Sequence, residues 1–146
     1  MPLKIRVSNL SREARIDKKT VKKIAVFVLR KNKIRNALID ITFVSNRRIR
    51  TLNKLYMNRN RATDVLSFIL EEKSISGKKK LIGDVYISSP EARKNASRFK
   101  TSFRKELFLY VIHGTLHLLG FGDKTAKEKS KIRKLEQKFF KQTVRG

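Results

Sequence analysis

An α+β sandwich, in which about five helices pack on a four-stranded mixed sheet with one antiparallel edge strand, is the fold class this sequence predicts. Three observations carry it. Strand-like stretches flank the first helical stretch, two further ones sit mid-chain across a polar loop, and only helical patterns follow.

Leu3, Ile5 and Val7 alternate with Lys4, Arg6 and Ser8, the period of two of a half-buried first strand. Asp17 is a plausible N-cap for a helix ending near Lys31, with Val21, Ile24, Ala25 and Val28 inward and lysines outward. Ala37 to Val44 is rich in Ile, Phe, Val and Thr and reads as a second strand, so a parallel pair with a right-handed crossover is expected. Ser45 caps a second helix with Ile49, Leu52 and Tyr56 on one face.

A further strand is expected before the polar segment that follows. Glu71 to Lys80, polar and containing Gly77, is expected to be a loop joining two antiparallel strands, the second being Leu81 to Ser88. Ser89-Pro90-Glu91 gives an N-cap, a proline at the first helical position and an acid in the first turn, so a third helix should run to about Arg98. Thr101 or Ser102 caps a central helix with Phe103, Leu107, Val111 and Leu118 as its core stripe. Glu106, Tyr110, His113 and His117 trace a neighbouring stripe. Thr125 and Glu128 form a capping box for a last helix with Ile132, Leu135 and Phe139 inward.

The 146 residues suit one domain, 1–146, with no repeat or linker. There is no cysteine, hence neither a disulfide framework nor a thiolate metal site. No apolar run is long enough for a membrane span and the N-terminus alternates instead of forming a signal-peptide core, so a cytoplasmic protein is expected. The 37 Lys and Arg against 12 Asp and Glu give a net charge of +25. Such an excess repels itself unless a polyanion neutralises it, and the abundant cellular polyanion is nucleic acid. Adaptation to heat raises glutamate together with lysine, which is not the balance here, and no segment with a large apolar face points to lipid. Between Ser45 and Arg61 stand Arg47, Arg48, Arg50, Lys54, Arg59 and Arg61 without one acidic residue. A solvated helix face accounts for part of this set, and Arg47, Lys54, Arg59 and Arg61 are the candidate RNA contacts.

His113 and His117 are the only two histidines and lie four apart in an apolar helical segment, so both imidazoles leave one face of the helix. Gly120 is placed to end that helix in a left-handed conformation and turn the chain back, which lets Asp123 supply a third ligand. Two imidazoles and a carboxylate suit one Zn2+ ion, and three protein ligands plus a water are the arrangement of a catalytic site. Surface or core histidines at helical spacing are the plainer alternative. A zinc so held lowers the pKa of its water from 15.7 to roughly 7 and stabilises a developing phosphorane oxygen. Peptide hydrolysis would be equally feasible. Peptidases of the His-Glu-x-x-His kind, however, place their base directly after the first histidine, where this chain has Gly114.

The stretch His113 to Asp123 resembles the signature of the YbeY family of bacterial rRNA-maturation endoribonucleases, His-Gly-x-Leu-His-Leu-x-Gly-Tyr-Asp-His. His113, Gly114, Leu116, His117, Leu118 and Gly120 match, Phe121 is a near match, Gly122 replaces Asp, and Asp123 replaces the third histidine. Thr63 to Phe68 match the family's Pro-Thr-Asp-Val-Leu-Ser-Phe segment with Ala62 for its Pro, and Gly83, Asp84 and Ile87 match its Gly-Asp-Ile-x-Ile element. The resemblance implies a zincin-like fold, with the Thr63 to Phe68 strand lining the active cleft as a sheet edge. It implies a single-strand-specific, metal-dependent endoribonuclease acting in rRNA maturation and ribosome quality control. Its partners would be rRNA precursors and the small ribosomal subunit. His113 would be catalytic as well as a ligand with His117 and Asp123. The family's active-site arginine falls at Met57, leaving Arg59 as the nearest guanidinium for the same phosphate. Glu106, Asp84 and Asp64 are candidates for acid or base, with Asp84 favoured as a structural partner of an arginine and Glu106 as an ion-pair partner of Arg104 or Lys105. A non-catalytic RNA or ribosome-assembly binder with a structural metal, and a zinc peptidase, are the alternative readings.

Overall fold

A computed structural model describes residues 3–11, 15–75 and 78–144. Strand β1 (Leu3–Asn9) leads through helix α1 (Lys18–Lys31) to β2 (Asn36–Val44), and α2 (Asn46–Met57) follows. Next come the hairpin strands β3 (Val65–Ile75) and β4 (Lys78–Ser88), then α3 (Ser89–Phe99), α4 (Phe103–Leu118) and α5 (Ala126–Thr143). The strand order is β1-β2-β4-β3, with β1, β2 and β4 parallel and β3 antiparallel on the edge. This is the α+β sandwich expected from the sequence, with its mixed sheet and five helices.

Alternation decides which face of the sheet is buried. Ile5, Ile39, Ile41, Val85 and Ile87 turn to one side and pack against Val21, Ile24 and Val28 of α1 and Leu107, Val111 and Leu116 of α4. On the other side α2 covers only part of the sheet, through a small cluster of Val44, Ile49, Leu52 and Leu66. There Arg6, Asp40 and Asp84 form one cross-strand row, and Arg6 makes a bidentate fork to Asp40 at 2.5 and 2.7 Å. Burial, and then the neighbouring Asp40, raise the pKa of Asp84 against the pull of Arg6. Asp84 thus stands in a structural row with an arginine, as expected, although the fork of Arg6 closes on Asp40 beside it.

Three features differ from expectation. The hairpin strands extend to Ile75 and from Lys78, through most of the segment Glu71 to Lys80 read as a loop, while Gly77 lies outside the described residues. Their pairing is made by the backbone, which side-chain polarity does not report. Between Ile69 and Glu71 the register shifts, leaving Leu70 as a bulge on the edge strand. Ser88, not Ser89, caps α3: its Oγ accepts from Glu91 N at 3.1 Å and donates to Asn46 Oδ1 at 2.5 Å. The cap thereby also ties α3 to the start of α2. Tyr56 is 66% exposed instead of sharing the buried face of Ile49 and Leu52, its ring resting on Phe68 at 5.3 Å.

Helix α4 is buried on nearly every side and touches α1, α3, α5, β3 and β4. It meets the hairpin at Gly114, whose carbonyl accepts from Ser67 Oγ at 2.9 Å. A Cβ there would stand 2.5 Å from Val85 Cγ1 and 3.0 Å from Val65 Cγ1, both on stiff β-branched side chains. Gly114→Ala is therefore expected to destabilise the fold by about 1–3 kcal/mol, the cost of overpacking a filled core, as measured by urea denaturation. An unchanged midpoint would show that helix and sheet are not in this contact.

Candidate metal centre and cleft

The last two turns of α4 present His113 and His117 side by side, with their Nε2 atoms 2.8 Å apart. Leu119 is the C-cap and Gly120 follows at φ +96°. Gly120 N bonds to His117 O at 3.0 Å and Phe121 N to Leu116 O at 3.1 Å, the two bonds of a Schellman turn. The reversed chain brings Asp123 Oδ2 to 3.4 Å from His117 Nε2 and 3.6 Å from His113 Nε2. Ligands about 2.0–2.1 Å from a tetrahedral ion stand about 3.4 Å from one another, which the two separations to Asp123 match, while the two imidazole nitrogens would have to part by about 0.6 Å to admit a zinc-sized cation. His113, His117 and Asp123 form the one three-residue group among the described residues able to hold a metal ion.

The imidazoles are held by different means. His113 Nδ1 donates to Glu136 Oε1 of α5, which leaves the lone pair on Nε2, the nitrogen that faces His117 and Asp123. Burial works to lower the pKa of His113, but the hydrogen bond to Glu136 and its charge outweigh that and the net shift is upward. His117 shifts downward, through burial first and then the neighbouring His113, and so keeps the neutral form a cation needs. Sequence reasoning does not find Glu136, because it lies on the last helix among lysines. Its place one position after the inward Leu135 was the available signal.

Beside the histidines opens a cleft of about 480 Å³, lined by Arg59, Arg61, Asp64, Ser67, Phe68 and the three ligand candidates, among others. Both arginines sit on a loop pinned at several points. Asn58 is left-handed (φ 55°), Arg59 N bonds to Asn53 O at 3.3 Å, and buried Asn53 donates to Arg61 O at 3.0 Å. Arg50 Nε also holds Asn60 Oδ1 at 2.9 Å. Met57 lines the same cleft. Arg47 and Lys54, by contrast, are exposed on α2 and are not among the lining residues.

Of the three carboxylates considered as acid or base, Asp64 borders the cleft. Its Oδ1 accepts from Val65 N at 2.8 Å. Glu106 is buried and takes a hydrogen bond from Thr101 Oγ1 at 2.7 Å, a local tie in place of the expected ion pair with Arg104 or Lys105. Asp84 belongs to the charged row on the other face of the sheet. Gly122 leaves room for Glu128, since a Cβ there would meet Glu128 Oε2 at 2.3 Å. Glu128 is held by the capping box with Thr125.

A mixed-sheet α+β fold with two histidines on a buried helix and a carboxylate brought to them beyond a glycine turn defines a protein with a candidate metal centre beside a cleft on a sheet edge. The family model described as Endoribonuclease YbeY matches residues 6–144, and the chain belongs to that family. It is 40% identical to the endoribonuclease YbeY of Sulfurihydrogenibium sp. (strain YO3AOP1) over 117 residues, 80% of this chain and 76% of the relative. To that of Persephonella marina it is 34% identical over the same shares. The solution structure of TM1509 from Thermotoga maritima superposes with a TM-score of 0.62 at 29% identity, covering 94% of this chain and 90% of that one.

If Glu136 orients His113 for a cation, Glu136→Gln should keep the fold and weaken zinc affinity about 10–100-fold, as read by competition with a chelating dye. Equal affinity in the two proteins would leave Glu136 a packing residue only.

Proposed function

We propose that this chain is a single-strand-specific, metal-dependent endoribonuclease of the cytoplasm, acting on ribosomal RNA precursors in maturation and quality control of the small ribosomal subunit. The observation that carries the reading is the convergence of His113, His117 and Asp123 at one end of a cleft into which Arg59 and Arg61 also face. Membership in the YbeY endoribonuclease family supports the reaction type. The formal charge of +25 supports a polyanionic substrate.

Zinc suits the donor set; when bound it supplies Lewis acidity at a phosphodiester oxygen. The protein's own groups do the rest. Arg59, carried two residues beyond Met57, brings a guanidinium to a scissile phosphate and balances charge that grows on its oxygens. Arg61 and the edge of β3 align the strand. Asp64, which borders the cleft next to His113, is the carboxylate placed to take or give a proton. Tyr56 and Phe68 offer rings on which splayed bases stack, and that favours single-stranded RNA over a duplex in the cleft. The peptidase reading has no support here, because the residue after His113 is turned into the sheet at Val85 and no carboxylate could stand there.

Cleavage of a single-stranded rRNA fragment by metal-analysed protein tests the proposal. His113→Ala should reduce cleavage to the uncatalysed background while RNA affinity stays largely intact, and chelator should do the same to the wild type. Arg59→Ala is expected to cost about 10²-fold in rate, the scale of losing one donor to transition-state charge. Unaltered cleavage in the His113 variant would refute the assignment. Tight RNA binding by zinc-loaded protein without cleavage would favour the non-catalytic binder instead.

A further inference from the structure

A large share of the positive charge lies away from the cleft arginines, on two helices. Helix α1 carries six Lys and Arg and no acid, and α5 carries seven, all of them exposed. The two acids of α5 are both engaged: Glu128 closes the capping box and Glu136 holds His113. The helices touch, with Phe27 of α1 edge-on to Phe139 of α5 at 6.1 Å, so their outer faces join into one surface. That surface runs into the metal centre, because Lys129 and Arg133 of α5 line a cavity of about 330 Å³ with His113, Asp123 and Glu136. Like charges recur four apart, at Lys18 and Lys22, Lys19 and Lys23, Lys134 and Lys138. Such pairs destabilise a free helix, and a bound polyanion removes that penalty.

The surface offers nothing on which to stack a base or anchor a lipid. Among the described residues the exposed large apolar side chains, such as Leu55, Tyr56 and Leu70, lie on other elements. Phe27 is roofed by Lys31 at 5.4 Å. A surface of cations alone recognises phosphates at fixed spacing, which a duplex backbone presents and a loose strand does not.

We infer that the joined outer faces of α1 and α5 bind the phosphate backbone of an RNA duplex and dock the helical part of a substrate whose single-stranded segment enters the cleft. The inference rests on the RNA reading above and adds to it a second, distinct contact.

The test compares wild type with a variant carrying Lys22→Gln, Lys23→Gln, Arg30→Gln and Lys31→Gln, all on α1 and remote from the metal centre. A second variant, Lys134→Gln, Lys138→Gln and Lys141→Gln, probes α5 independently should the first fail to fold by circular dichroism. The probes are a blunt RNA duplex of roughly 16 base pairs, a single-stranded oligonucleotide, and vesicles of phosphatidylserine and phosphatidylcholine. For the α1 variant the slope of log affinity against log salt on the duplex should become shallower by up to about 3.6, near 0.9 for each of the four lost phosphate contacts. Cleavage of the single strand should stay within about twofold of wild type, because the substituted α1 positions line neither the cleft nor the metal centre. An unchanged duplex slope, an equal loss on duplex and single strand, or a loss confined to vesicle binding would overturn the inference. A wild type that binds the duplex through these cations yet cuts no single strand would sink the nuclease reading while this surface stood.

Discussion

The arrangement hangs on one constraint, the burial of α4. Apolar residues cover it on nearly all sides and Gly114 lets it seat directly on Val85 and Val65, so the helix is fixed both about and along its axis. Its two imidazoles must then emerge at one place, beside the edge strand. Rotation by a single residue, about 100°, would drive them into the core or the sheet. The Schellman turn at Gly120 and the hydrogen bond from Glu136 act on a platform that packing has already set.

Periodicity carries information about elements that bury one face, and those elements were legible. The alternation of β1, the stripe of α1 and the capping box of α5 all lie where the pattern put them. What escaped was structure set by neighbours distant in sequence. Tyr56 continues the apolar face of α2 on paper, but the helix overhangs the sheet and leaves the ring outside with only Phe68 beneath it. Ser88 caps α3 because Asn46, from another helix, orients it. The long hairpin is held by main-chain ladders that leave no mark on side-chain polarity.

The same division holds for the candidate site. Two histidines four apart, a glycine and a later carboxylate are local spacing, so His113, His117 and Asp123 could be grouped from the chain alone. Glu136 comes from the middle of the last helix, twenty-three residues from His113, and only its place beside the inward Leu135 hints at it. Arg59 and Arg61 could be named from composition, but that they share a cleft while Arg47 and Lys54 do not follows from the pinned loop after α2.

The bulge at Leu70 sets the reach of the sheet's free edge. An uninterrupted outer strand is a template on which a second copy of the chain could add and grow into fibres. Here regular pairing geometry breaks after Ile69, so the flat edge beside the cleft spans only Val65–Ile69, roughly 17 Å. That is enough to guide a short extended ligand and too little to seed assembly, a form of protection written into one extra residue.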